Sequence, residues 1–313
     1  MPLDPQAQAM LDLIASMNAP PLGSLSAAET REGSRAPLAP VEEREQLHSV
    51  EDRTIPGPAG EIPVRVYTPS ADPDLPLLVY FHGGGWVIGS LDMEDVAHRS
   101  IANQTGCVIV SVDYRLAPED PFPASIDDCY AATVWAAEHA AELGADPSRV
   151  AVGGWSAGGN LAAVVAQLTR DGGGPALVHQ VLVCPATDHY SGSLERPSYN
   201  DNAEGYLLTR DAMIWFWDHY IGVDGDADDA KAAPIRATDL SGLAPATVLT
   251  MEFDPLRDEG ADYADRMSEA GVAVKYLNYE GQMHTSYSSS LAIDRGKDIV
   301  AEVSASLRDA FAR

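Results

Sequence analysis

The stretch Val150-Ala151-Val152-Gly153-Gly154-Trp155-Ser156-Ala157-Gly158-Gly159-Asn160 decides the fold. The small apolar run Val150 to Val152 reads as a buried strand, and Leu161 to Leu168 reads as a helix packed on it. Between them, Gly154-Trp155-Ser156-Ala157-Gly158 fits G-x-S-x-G, a sharp strand-to-helix turn. Such a turn brings backbone against backbone, so only very small residues fit two before and two after the serine. It also holds a hydroxyl at the end of a sheet, at a helix N-terminus that favours negative charge. The alternative, a glycine-serine turn without chemistry, has to be weighed against the segments around it.

Working outward, Leu75 to Phe81 and Cys107 to Val112 are nearly continuous apolar runs. They read as strands buried on both faces, as in parallel sheets. Arg53 to Pro56 and Ile62 to Pro69 alternate polar and apolar residues and predict antiparallel edge strands joined through Gly57 to Gly60. Helices are expected over 92–105 and 125–142, strands over 178–184, 246–251 and 272–277, a helix running to Ala270, and a last helix over 293–311. Alternating strands and helices predict an α/β fold, a mostly parallel, doubly wound sheet with helices on both faces. Before the sheet, residues 4–17 carry an amphipathic helical pattern, and 26–48 a second helical region interrupted by Pro37 and Pro40. We expect 1–48 to form N-terminal cap helices, 49–187 with 226–313 the α/β core, and 188–225 a cap insertion. Within the insertion, Asp211 to Tyr220 reads as an aromatic helix, suited either to line an acyl pocket or to pack as core.

At 313 residues and 45% hydrophobic, the chain can bury a large core. Its 47 Asp and Glu against 20 Lys and Arg give a formal charge of -27, which repels nucleic acid and anionic membranes. Screening such self-repulsion is expected to make the protein more stable and more active in added salt. Cys107, Cys129 and Cys184 lie in apolar stretches without metal-ligand spacing and read as buried free thiols. No histidine joins Cys or Asp in a metal pattern. The start lacks a basic, apolar leader and no run approaches a bilayer span, so a cytoplasmic location is expected.

In a sheet of this kind, active groups gather beyond the C-terminal ends of the strands. Four such loops offer Ser156, Asp254 and His284, in the order Ser, Asp, His, together with His82-Gly83-Gly84-Gly85-Trp86. A serine hydroxyl needs a base, and the base needs an acceptor that holds its tautomer. His284 is the base candidate and Asp254 its orienting carboxylate. The N–H groups of Gly83, Gly84 and Ala157 are the candidate oxyanion hole. His82 is assigned to fixing the loop by ring hydrogen bonds, with Gly85, Trp86 and Trp155 as supporting or pocket residues. Asp258, Glu259 and Glu252 are rivals for the triad acid, and Asp113 is expected to hold Arg115 or local amides. The glycines lack GxGxxG spacing and a P-loop lysine, so a phosphate cradle is not expected.

Together these residues resemble the bacterial hormone-sensitive-lipase-like esterases, often called family IV. The matching stretches are Tyr80 to Trp86, Asp113-Tyr114-Arg115-Leu116-Ala117-Pro118-Glu119, Ser156 to Ala162, and Asp254-Pro255-Leu256-Arg257-Asp258-Glu259-Gly260. The resemblance implies an α/β-hydrolase fold with a helical cap and a metal- and cofactor-independent serine carboxylesterase. It implies short- to medium-chain acyl esters as substrates and a homodimer through the last strand and helix, and it places the triad on the same three residues. An amidase or small-molecule deacetylase with the same triad, or a non-catalytic ligand-binding protein of this fold, are the alternatives. The chain departs from the family at Trp155, where Asp or Thr is usual, and at His284-Thr285-Ser286-Tyr287, where His-Gly-Phe is usual.

Overall fold

The protein, represented by a computed structural model, is described over residues 1–18, 20–34, 40 and 44–313. An eight-stranded sheet runs through it in the order β1-β2-β4-β3-β5-β6-β7-β8. The strands are β1 (Ser49–Gly57), β2 (Gly60–Thr68), β3 (Leu75–Phe81), β4 (Val108–Val112), β5 (Ala145–Trp155), β6 (Leu177–Val183), β7 (Ala246–Phe253) and β8 (Val274–Met283). β2 is antiparallel to both β1 and β4, and every pairing from β4 across to β8 is parallel. The hairpin forms where expected, but β2 is not an edge. Val64 to Tyr67 pair with β4, so of the hairpin's two strands β1 alone lies at an edge.

The continuous apolar runs are explained by two packed faces. Leu77, Val79 and Phe81 of β3 point into one core while Leu78 and Tyr80 point into the other. The first core is closed by α4 (Ala124–Glu138), α5 (Ala157–Gly172) and α9 (Arg257–Glu269), through residues such as Ile126, Leu161 and Met267. The second is closed by α3 (Asp95–Thr105) and α10 (Asp294–Phe311), through Ile101, Ile299 and Leu307. Burial on both sides requires apolar side chains at every position, which erases period-two alternation.

Before the sheet come α1 (Pro5–Ser16) and α2 (Ala27–Gly33). The helical reading of 26–48 is met by α2. Its continuation through 35–39, including Pro37, and through 41–43 lies outside the described residues. Both helices reach the C-terminal side of the sheet. Asp4 N–H donates to Gly281 O, and Ala7 packs with Met283 and Ile293. Arg31 of α2 donates to Val87 O and Ala117 O and pairs with Glu119. The long connection between β6 and β7 carries α6 (Tyr190–Ser193), α7 (Pro197–Asp201) and α8 (Arg210–Tyr220). From α8, Trp217 and Tyr220 pack on Trp86, with ring centroids 4.4 and 4.3 Å away. An ideal Cβ on Gly23 would fall 3.2 Å from Trp215, so the N-terminal segment also leans on α8. No helix among the described residues is long and apolar enough to cross a membrane.

Candidate active site

The elbow is built as its spacing requires. Ser156 joins β5 to α5 with φ 59° and ψ -120°, a conformation sparsely allowed for a residue with a side chain. Its backbone is held on both sides: Ser156 N–H donates to Val183 O, and its carbonyl accepts from Asn160 N–H and Ala186 N–H. A Cβ on Gly154 would stand 2.1 Å from Gly158 O, and one on Gly158 would stand 1.9 Å from Phe81 O. Neither neighbour can yield, because both are backbone.

The structure brings Ser156, His284 and Asp254 into one hydrogen-bonded line. His284 Nε2 is 3.0 Å from Ser156 Oγ, and His284 Nδ1 is 2.7 Å from Asp254 Oδ2. The other carboxylate oxygen of Asp254 accepts the Leu256 N–H at 2.9 Å. Asp254 is sealed from solvent at 0% exposure, while Ser156 and His284 keep 6% and 4%, so access is narrow and reaches the serine end only. Asn202 Nδ2 donates to the carbonyls of Glu252 and Asp254, steadying the strand end that carries the acid. The rivals are occupied elsewhere. Asp258 accepts Ser198 N–H, and Glu252 takes the N-terminal ammonium and Gly281 N–H. Glu259 is buried in α9, accepts Thr187 N–H and the Ser193 hydroxyl, and has its pKa pushed up to about 8 by that burial.

The glycine loop differs from expectation at one residue. The Gly83 N–H donates to Glu94 Oε1 at 2.9 Å and is not a free donor. The next two amides are free for a geometric reason. His82 Nδ1–H donates to Gly83 O at 2.7 Å, and Val87 and Ile88 N–H donate to Gly84 O. In a trans peptide the N–H points opposite the carbonyl, so these bonds turn the Gly84 and Gly85 N–H groups away from the loop interior. Among the described residues neither has a hydrogen-bond partner, and neither has Ala157 N–H. Gly84 and Gly85 have φ of 123° and 58°, which a side chain would resist.

His82 is wholly buried, and desolvation lowers its pKa to about 4, so the ring is neutral and Nδ1 carries the proton it donates. Asp113 does not hold Arg115. The bidentate partner of Arg115 is Asp128, in α4, while Asp113 sits 3.8 Å from His82 Nε2. Trp86 is buried under α8, and the Phe216 ring lies against Gly85, 2.2 Å from where a Cβ would stand. Trp155 bridges the glycine loop and the His284 segment. Its ring lies against Gly83, 2.3 Å from an ideal Cβ position. Its Nε1–H donates to His284 O at 3.2 Å, and its centroid is 5.2 Å from that of His284.

Cys184, Asp254 and His284 bring one ligand-type atom each within 4.8 Å of one another. They do not fit a metal. Burial pushes the Cys184 thiol well above its usual range, so it is no thiolate, and the other two already bond each other. Cys107 and Cys129 are likewise buried and free.

A family model of the α/β-hydrolase fold matches residues 78–288, a span that holds the glycine loop and all three line residues. The chain belongs to the hormone-sensitive-lipase-like esterases of the α/β-hydrolase superfamily. Carboxylesterase NlhH of Mycobacterium tuberculosis is 44% identical over 299 residues, 92% of each chain. Carboxylic ester hydrolase LipN of the same organism is 49% identical over 246 residues, 76% of this chain and 64% of that one. The solved structure of ester-hydrolase EH1AB1, from the metagenome of Lake Arreo, superposes with a TM-score of 0.93 at 42% identity, covering 99% of this chain and 100% of that one.

Sequence reading missed Glu94 and Asn202. Both sit inside ordinary polar stretches, and nothing in their spacing marks a side chain that reaches into the site.

Proposed function

We propose that this esterase hydrolyses short- to medium-chain acyl esters of small molecules through an acyl-enzyme on Ser156. The observation that carries the proposal is the unbroken line Asp254–His284–Ser156, at 2.7 and 3.0 Å, ending beside three unpartnered backbone N–H groups. His284 Nε2 takes the Ser156 proton as Oγ attacks the ester carbonyl, and Asp254 holds the ring in the tautomer that makes Nε2 the acceptor. Gly84, Gly85 and Ala157 N–H groups receive the oxyanion, the last at the N-terminus of α5. The imidazolium then donates to the leaving alcohol. Water attacks the acyl-enzyme with His284 again as base, releasing the acid and restoring Ser156.

The preference for short acyl chains is supported by α8. Phe216 presses on Gly85, and the Trp86–Trp217–Tyr220 stack closes the space behind it. In this reading the N-terminal helices and the insertion form the cap, tied to the loops by Arg31 and by Glu259. We further propose a homodimer. Among the described residues β8 has a sheet neighbour on one side only, and Tyr276 on it is 38% exposed. A cytoplasmic location accords with three unpaired, buried cysteines.

The test is initial rates on p-nitrophenyl esters from acetate to palmitate, for the native protein and Ser156→Ala. Rates peaking at short or medium chains and abolished in the variant are expected. Rates peaking at palmitate, or surviving in Ser156→Ala, overturn the proposal.

A further inference from the structure

We infer that Glu94 is a positioning residue for catalysis, setting the orientation of the oxyanion loop from beneath. The inference rests on the assignment of Gly84 and Gly85 as oxyanion donors. Glu94 lies just before α3 and is 1% exposed. Its Oε1 accepts the Gly83 N–H at 2.9 Å. That bond holds the N–H end of the first peptide plane of the loop, whose carbonyl end, His82 O, accepts the Tyr114 hydroxyl at 2.8 Å. His82 fixes the second plane through Gly83 O, and Val87 and Ile88 fix the third through Gly84 O. Of the three, only the first depends on side chains brought from outside the loop.

Its surroundings argue that this carboxyl is retained for that bond. Among the described residues, the second oxygen, Oε2, has no hydrogen-bond partner, and the nearest basic atom is His98 Nε2 at 4.0 Å. Both ring nitrogens of His98 and Nε2 of His82 are also buried and unpaired. Around them stand the Tyr80 and Tyr287 hydroxyls, bonded to each other at 3.0 Å. Among the described residues a charged carboxylate here would have no counter-ion in contact, because burial keeps both histidines neutral. Burial raises Glu94 to about 8, so it is held as a neutral acid near neutral pH, with Oε1 still free to accept. A buried acid with one unsatisfied oxygen lowers stability, so its presence is best explained by the amide it orients.

The experiment compares native protein, Glu94→Met and Glu94→Gln on p-nitrophenyl butyrate, with inhibition by butylboronic acid, which adds to Ser156 and places an oxygen where the oxyanion forms. Met matches the shape and leaves Gly83 N–H without an acceptor, whereas the Gln carbonyl keeps one. For Glu94→Met we expect kcat to fall about 10- to 100-fold, boronate affinity to weaken by a like factor, and KM to move less than about threefold. Glu94→Gln is expected to restore kcat to within about threefold of native. Equal kcat and boronate affinity in native protein and Glu94→Met overturn the inference. So does a Glu94→Gln protein that loses about tenfold or more in kcat, a result readable even where Glu94→Met fails to fold. A native protein without Ser156-dependent hydrolysis overturns the proposed function itself, and the inference with it.

Discussion

Trp155 stands where the family usually has Asp or Thr, and its replacement by Phe gives the sharpest structural prediction. Phe keeps an aromatic ring near Gly83 but removes the Nε1–H that reaches His284 O at 3.2 Å. That carbonyl opens the 3-10 turn His284–Ser286 and also meets the Cys184 thiol at 4.0 Å, so it loses one donor without being left bare. Losing such a bond costs about 0.5–1.5 kcal/mol. The smaller ring leaves a void of roughly 40 Å³ beside Gly83, which adds about 1 kcal/mol. The sum, about 1.5–2.5 kcal/mol, lowers Tm by about 2–4 °C in a chain of this size. Because the lost bond anchors the residue that carries the base, kcat should fall about tenfold with KM changed little. Thermal unfolding and steady-state rates on p-nitrophenyl butyrate measure both. Native Tm and native kcat in Trp155→Phe would refute the role given to the indole.

The remaining predictions concern pH, salt and the elbow. Glu94 and Glu259 have folded pKa values raised to about 8, so stability at these groups falls as pH rises from about 4.5 through 8. His82, His98 and His179 have values lowered to about 4, 3 and 4, so theirs is lost as pH falls from about 6.5 through 4. The two sets oppose each other below about 6.5, and Tm is expected to decline between pH 6.5 and 8. A Tm that climbs over that interval contradicts these assignments. Added sodium chloride should raise Tm, since screening relieves the repulsion of a formal charge of -27, and a flat Tm from low to molar salt would sink that expectation. Gly158→Ala should abolish folding or lose more than about 3 kcal/mol, because its Cβ meets Phe81 O and His82 O. A soluble Gly158→Ala protein of native stability would show that the elbow can widen.

Much of this site was legible because chain order and strand ends carry it. Ser156 and Asp254 each follow a strand that the apolar runs mark, whereas β8 runs on to Met283, six residues past its expected end at 277, and so delivers His284 directly from a strand end. What escaped depends on contacts between distant segments. The Gly83 amide looks like its neighbours in sequence, and its commitment to Glu94 is set by how α3 seats beneath the loop. β2 reads as an edge because its residues alternate, yet it pairs with β4; the alternation reflects one face, Ile62, Val64 and Val66, packed in the core while Glu61, Pro63 and Arg65 on the other keep some exposure. Arg115 found Asp128 rather than Asp113 because α4 carries that carboxylate past it, a meeting thirteen residues away that local spacing does not encode.

The most direct measurement of the central claim is labelling with p-nitrophenyl diethyl phosphate, read by intact mass and peptide mapping alongside residual esterase activity. The account predicts one diethylphosphoryl group per chain, on the peptide containing Ser156, with activity lost in step with labelling and no label on Ser156→Ala. Activity that survives complete labelling, or a label on another residue that accounts for the loss, would contradict it.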